Sequence, residues 1–269
     1  MVKISATIDY RDNPLMYEQV EDIPGEKAMF VKAAEIANAH ATAKRNKPNR
    51  GIQVLDLCCG TALLWDYLEL EDETLFDRVI GVDISKPYLD FARQKYYGRL
   101  AGQAFSPDSG AQLDFILNDA VIYRHSTQVE VVIGTSAYHH IEDERKPDFL
   151  RQVRGQLKDD GIVIFGENLI GDYKNLQDRT KVVTEFYIKR IEELIGMGIT
   201  DKRIDILRRV LQYELEREYE WKHSYRMFRV NLDKAGFEVV EEHKVWPSKP
   251  FFLDGKVGDF VIVARKKRA

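Results

Sequence analysis

Two acidic residues stand where the chain could grip a polar ligand. Asp56 lies within Val54-Leu55-Asp56-Leu57-Cys58-Cys59-Gly60-Thr61-Ala62, and Asp83 within Val79-Ile80-Gly81-Val82-Asp83-Ile84-Ser85. Each ends a short, β-branched, apolar run, so each carboxylate is expected at the end of a buried strand. Small residues at Cys58, Gly60 and Ala62 let the backbone approach a ligand closely. A helix starting at Ala62 would aim its first N–H groups at that ligand. Asp83, 23 residues after Gly60, is spaced to accept both hydroxyl protons of a ribose. A nicotinamide dinucleotide is not the expected ligand, because the fingerprint G-x-G-x-x-G is missing. One glycine and no lysine also make a poor phosphate cradle.

A second cluster has different chemistry. Gly134-Thr135-Ser136-Ala137-Tyr138-His139-His140 follows an apolar run. A neutral imidazole beside a reacting centre can take a proton from a hydroxyl or an amine, which makes His139, His140 and the adjoining Tyr138 the candidate catalytic residues. A packing role for the same stretch is the competing reading. Adjacent histidines are not a natural chelate, and the two cysteines, Cys58 and Cys59, are neighbours with no spaced Cys/His set around them, so no metal is expected. Glu167 and Asn168 follow the next apolar run. Glu167 has two readings, pairing with a substrate ammonium or bonding nearby backbone.

These residues need a scaffold, and the apolar pattern describes one. Strands are expected at 52–58, 78–84, 113–117, 129–134 and 161–166, with helices at 26–44, 62–70, 86–100 and 145–157 between or before them. Strand–helix alternation with β-branched strands means a parallel sheet with helices on both faces. A charged helical stretch covers 172–221, then a helix at 225–235 closed by Gly236, and strands at 237–245 and 258–264. The expected architecture is α/β: a Rossmann-like, seven-stranded, mostly parallel sheet plus a helical insertion. The divisions are 1–50 as a helical cap, 51–170 with 225–269 as the ligand-binding domain, and 171–224 as the insertion. That insertion reads equally as a lid over the cleft or as a homodimer contact.

In this order the motifs resemble those of class I S-adenosylmethionine-dependent methyltransferases acting on small molecules. The family's first motif, an acidic residue followed by x-G-x-G-x-G, is matched by Asp56 to Ala62, with Cys58 and Ala62 in place of two glycines and Gly60 kept. Leu157-Lys158-Asp159-Asp160-Gly161 resembles the family's L-x-P-G-G turn without its proline. The resemblance implies S-adenosyl-L-methionine as cofactor, held by Asp56, Cys58, Gly60 and Thr61 at the first turn. Asp83 and Ile84 would hold the ribose side, and Asn118, Asp119 and Ala120 the adenine. Thr135 and Ser136 would line the methionine end. It implies methyl transfer to N, O or C of a metabolite. Attack on other carbons of the sulfonium, synthesis of carboxy-S-adenosylmethionine, and non-catalytic binding are the alternatives.

Bulk properties narrow the partners. Among 269 residues the net charge is −4, and lysines and arginines are mixed with acids except at Arg265–Arg268. Nucleic-acid binders need a basic face, so nucleic acid is not expected. No run of 18 apolar residues exists to span a bilayer, and Met1–Asn13 lacks an apolar signal core, so a cytoplasmic enzyme is expected.

Overall fold

The protein is described by a computed structural model covering residues 13–44, 51–72, 74–102, 111–199, 202–248 and 251–268. Seven strands form one sheet: β1 (Ile52–Leu57), β2 (Phe76–Asp83), β3 (Gln112–Leu117), β4 (Val129–Thr135), β5 (Leu157–Leu169), β6 (Phe237–Trp246) and β7 (Gly258–Lys266). Their order is β3-β2-β1-β4-β5-β7-β6. The first five run parallel, and β7 is antiparallel to both β5 and β6. The order reverses between β1 and β4, and ligands of open α/β sheets bind beyond the strand ends at such a point. Register puts Asp56 beside Gly81 and Ile133, and Asp83 beside Leu117, so the motif acids end up along one sheet edge.

Helices cover both faces, as the alternation requires. On one face α2 (Glu26–Lys44) and α3 (Lys86–Gly102) meet β1 and β2. The alanine row Ala33, Ala34, Ala37 and Ala41 is fully buried and lets α2 lie flat on the sheet. On the other face α4 (Lys146–Gln156) and α7 (Tyr225–Lys234) bury Phe149, Leu150, Val153, Phe228 and Leu232. Burying each such side chain stabilises the fold by about 1.5–3 kcal/mol relative to exposure. A separate cluster joins α5 (Leu176–Gly196) and α6 (Lys202–Glu216) to Ile23, Ile170, Trp246 and Val257. A short α1 (Pro14–Tyr17) and a 3-10 turn (Glu18–Asp22) lead into α2. Among the described residues, no helix is long and apolar enough to cross a membrane.

Two expected elements differ. The helix expected at 62–70 is a single 3-10 turn, Leu63–Tyr67. Ala62 is left-handed at φ 60°, and Trp65 folds inward so that its Nε1–H donates to Asp56 Oδ2 at 2.8 Å. The Trp65 ring stacks on Phe115, centroids 4.8 Å apart. Burying that indole overrides helical continuation. The turn expected at Leu157–Gly161 is instead the start of β5, whose pairing with β4 shifts register between Val129 and Val131.

Asp56 is fully enclosed, with Oδ1 lacking a hydrogen-bond partner. Burial raises its carboxyl from an ordinary 3.8 to about 7, against the lowering effect of the Trp65 bond. The fold therefore holds a proton that the unfolded chain has lost between those values, so stability falls as pH rises through that window. Asp56→Asn removes the titration. Its stability relative to wild type is expected to rise by up to about 4 kcal/mol from pH 4 to pH 8. Denaturant midpoints at the two pH values measure this, and a pH-independent difference would contradict it.

Candidate functional site

Beyond the ends of β1, β2 and β4 lies a cavity of about 690 Å³, within the range of a nucleoside-sized ligand site. Asp83 anchors its floor. Oδ2 accepts the Gly60 N–H at 2.8 Å and Oδ1 the Ser85 N–H at 2.7 Å. A carboxylate has about four lone-pair sites, so two backbone bonds leave capacity for two hydroxyls. Burial raises the Asp83 carboxyl above its ordinary value, while the Ser85 and Gly60 bonds pull it back. Gly60 has φ 56°, and a Cβ there would sit 3.3 Å from the Tyr17 ring. Tyr17 packs on Tyr88 with centroids 5.0 Å apart and thereby closes one wall.

Of the expected cofactor residues, Cys58, Gly60, Asp83, Ile84, Asp119, Ala120 and Ser136 line this cavity. Asp56 and Thr61 lie beneath it, each nearly or fully buried, and Asp56 serves Trp65. Asn118 and Thr135 also stand outside the lining. Asp119 is braced from two sides: Oδ1 accepts the Val121 N–H at 2.8 Å, and Oδ2 lies 2.5 Å from Arg145 Nη2. The sequence reading missed Arg145, whose position on the exposed start of a helix resembles any solvated charge. Tyr17 and Trp221, two of the many aromatics in the sequence, also line the cavity.

A smaller chamber of about 60 Å³ shares Tyr17, Ser136 and His140 with the first. His139 faces this inner chamber and is buried. Its Nδ1 lies 2.7 Å from Glu167 Oε2, while Glu167 Oε1 accepts the N–H groups of Ala137 (3.1 Å) and Tyr138 (2.7 Å). Ionised Glu167 can only accept, so Nδ1 carries the proton and Nε2 a lone pair. Burial, then the charge of Lys222, lowers the His139 pKa well below 6.5, so the ring is neutral near pH 7. Burial raises Glu167 to about 7. His140 Nδ1 donates to the Tyr219 carbonyl at 2.8 Å. Tyr138 is placed elsewhere: its ring is buried against Phe149 and Phe228, and its hydroxyl oxygen accepts from Asn231 Nδ2 at 2.8 Å.

Helices α5 and α6 and the segment after them complete the chamber with charges that no pattern had singled out. Lys222 Nζ lies 2.5 Å from Glu220 Oε2. Arg190 from α5 binds Glu26 Oε1 at 2.9 Å and also pairs with Asp259. Asn168 Nδ2 donates to both of those carboxylates, at 3.1 and 2.8 Å. Among the described residues, His139, His140 and Glu220 form the one group able to converge on a metal ion. Glu220 of that group is also paired with the Lys222 ammonium.

The seven-stranded sheet, with its cavity at the switch point and an acid at the end of β2, has the fold of S-adenosylmethionine-dependent methyltransferases. Residues 54–161 match the family model described as a methyltransferase domain. The chain is 27% identical over 227 residues to the carboxy-S-adenosyl-L-methionine synthase of Wolinella succinogenes, covering 84% of this chain and 85% of that one. Its fold is similar to an S-adenosylmethionine-dependent methyltransferase from Clostridium acetobutylicum, with TM-score 0.57, 12% identity and coverage of 96% and 99%. It is also similar to magnesium protoporphyrin IX methyltransferase from Synechocystis, solved with bound S-adenosylhomocysteine, with TM-score 0.55, 17% identity and coverage of 96% and 97%.

Removing the floor should remove the ligand. Asp83→Ala is expected to weaken S-adenosylhomocysteine binding about 100-fold, the loss of two hydrogen bonds to a charged group, measured by titration calorimetry. Binding within about threefold of wild type, a difference under 1 kcal/mol, would contradict this role.

Proposed function

We propose that the protein holds S-adenosylmethionine in the outer cavity and transfers its methyl group to a small molecule in the inner chamber. The observation that carries this reading is the shared wall of Tyr17, Ser136 and His140, which joins the two spaces. Asp83 would hold the ribose, Asp119 and Ala120 the adenine side, and Cys58 and Gly60 the methionine side. The bound sulfonium supplies an activated methyl group, so the chain's task is alignment and exclusion of water. His139 Nε2, fixed by Glu167, takes a proton from the acceptor. Helices α5 and α6 serve as the lid, since Tyr187, Arg190, Ile206 and Leu207 wall the chamber. In this division residues 171–224 are the insertion that selects the substrate, packed on a Rossmann-like domain of 51–170 and 225–269.

A second reading has its own support. Relatives spanning most of the chain are named carboxy-S-adenosyl-L-methionine synthases, and such a reaction would leave the sulfonium intact. Mass spectrometry of products separates the two. Incubation with S-adenosylmethionine and a small-molecule extract is expected to yield S-adenosylhomocysteine, absent without extract and reduced about 100-fold or more in His139→Ala, within the usual range for losing a general base. A sulfonium product heavier by one carboxyl group would establish the second reading instead, and methylthioadenosine above the spontaneous rate would exclude both.

A further inference from the structure

The inner chamber has a chemical bias beyond its size. His139 and His140 both line it. His140 Nδ1 donates to a carbonyl, and His139 Nδ1 donates to ionised Glu167, which leaves His139 Nε2 as an acceptor. Several donors at the chamber are already committed: Lys222 to Glu220, the Arg190 η nitrogens to Glu26 and Asp259, and Asn168 Nδ2 to the same two acids, while Arg190 Nε has no partner. A ligand bringing N–H or O–H groups of its own meets acceptors here.

Charge selects further. Glu26, Glu220, Arg190 and Lys222 line the chamber, and paired with these or with His139 behind its wall stand Glu167, Glu214, Asp259 and Arg179, five carboxyl groups to three cations in all. Acids outnumber cations in this set by two, an excess that a cationic guest would offset. A carboxylate ligand would add to that excess, and the cations lining the chamber are already paired. A sulfonium next door and one ammonium would balance it. Opposite the polar side, Val20, Ile23, Ile206, Leu207 and Val210 give an apolar wall. The volume of about 60 Å³ admits roughly four or five heavy atoms.

We infer that the chamber is the acceptor site for a small aliphatic amine, bound as its ammonium with N–H groups toward His139 Nε2 and Glu220. The inference rests on the methyl-transfer reading and narrows its substrate class. Before attack one N–H proton passes to His139 Nε2, leaving the nitrogen lone pair free and the imidazole positively charged beside ionised Glu167.

The test is direct binding. Saturation-transfer NMR is run on the whole protein loaded with S-adenosylhomocysteine, using isobutylamine, isobutanol and isobutyrate as matched probes. Isobutylamine is expected to bind at least about fivefold more tightly than either of the others, because an analogue lacking the paired polar group is rejected. Leu207→Trp and Val210→Phe, which fill the apolar wall, are each expected to remove the amine signal while S-adenosylhomocysteine affinity stays within about twofold of wild type. Tighter binding of isobutyrate or isobutanol, an amine signal that survives whichever variant keeps its cofactor affinity, or no amine signal in the loaded protein would overturn the inference and leave the cofactor assignment standing. Failure of wild type to bind S-adenosylhomocysteine would instead overturn the reading beneath it.

Discussion

The site depends on one hydrogen bond between the loops that end two adjacent strands: Gly60 N–H to Asp83 Oδ2. It fixes the turn after β1 against the end of β2 before any ligand arrives. The turn has left-handed residues at Cys58, Gly60 and Ala62, a conformation unfavourable for the two that are not glycine. Something must hold it, and a nearly buried carboxylate does. The same carboxylate faces the cavity, so one group both shapes the loop and presents acceptors to the cavity.

Below that floor the sheet edge is bonded to α5 through charge rather than through apolar packing alone. Arg190 reaches from α5 to Glu26 on α2 and Asp259 on β7. Arg179 pairs with Glu214, and Lys222 with Glu220. Buried pairs of this kind add little net stability, because desolvation offsets attraction, yet losing one partner leaves a charge stranded at a cost of about 3–5 kcal/mol. Their effect is positional. They set where α5 and α6 stand over His139, and so give the chamber its walls.

Much of this was legible in the sequence. Strand and helix alternation identified the seven strands and their mostly parallel sheet, and small residues beside Gly60 and the spacing to Asp83 located the cavity floor. Three things were not. Trp65 sits on an apolar stretch that scans as a helix, and only its bond to Asp56 shows why the chain turns inward instead. Asp56 looked like a ligand group by motif, but it is the partner of that indole. Lys222, Glu220 and Arg190 lie in a charged helical segment, where helical periodicity marks an apolar stripe but gives no sign of which charges are buried. Glu167 and His139 were each noticed singly; their pairing depends on β5 placing Glu167 behind the β4 loop, a register that the sequence alone does not specify.

The most direct measurement is amide hydrogen exchange at Gly60 in the ligand-free protein, compared between wild type and Asp83→Asn. The carboxylate clamp requires that the Gly60 N–H be protected in wild type. In the variant it should exchange about 10-fold or more faster, the equivalent of one charge-assisted bond, while the β1 amides of Val54 and Leu55 keep their protection. Free exchange at Gly60 in wild type, or equal protection in both proteins, would contradict the claim that Asp83 builds the site before the cofactor arrives.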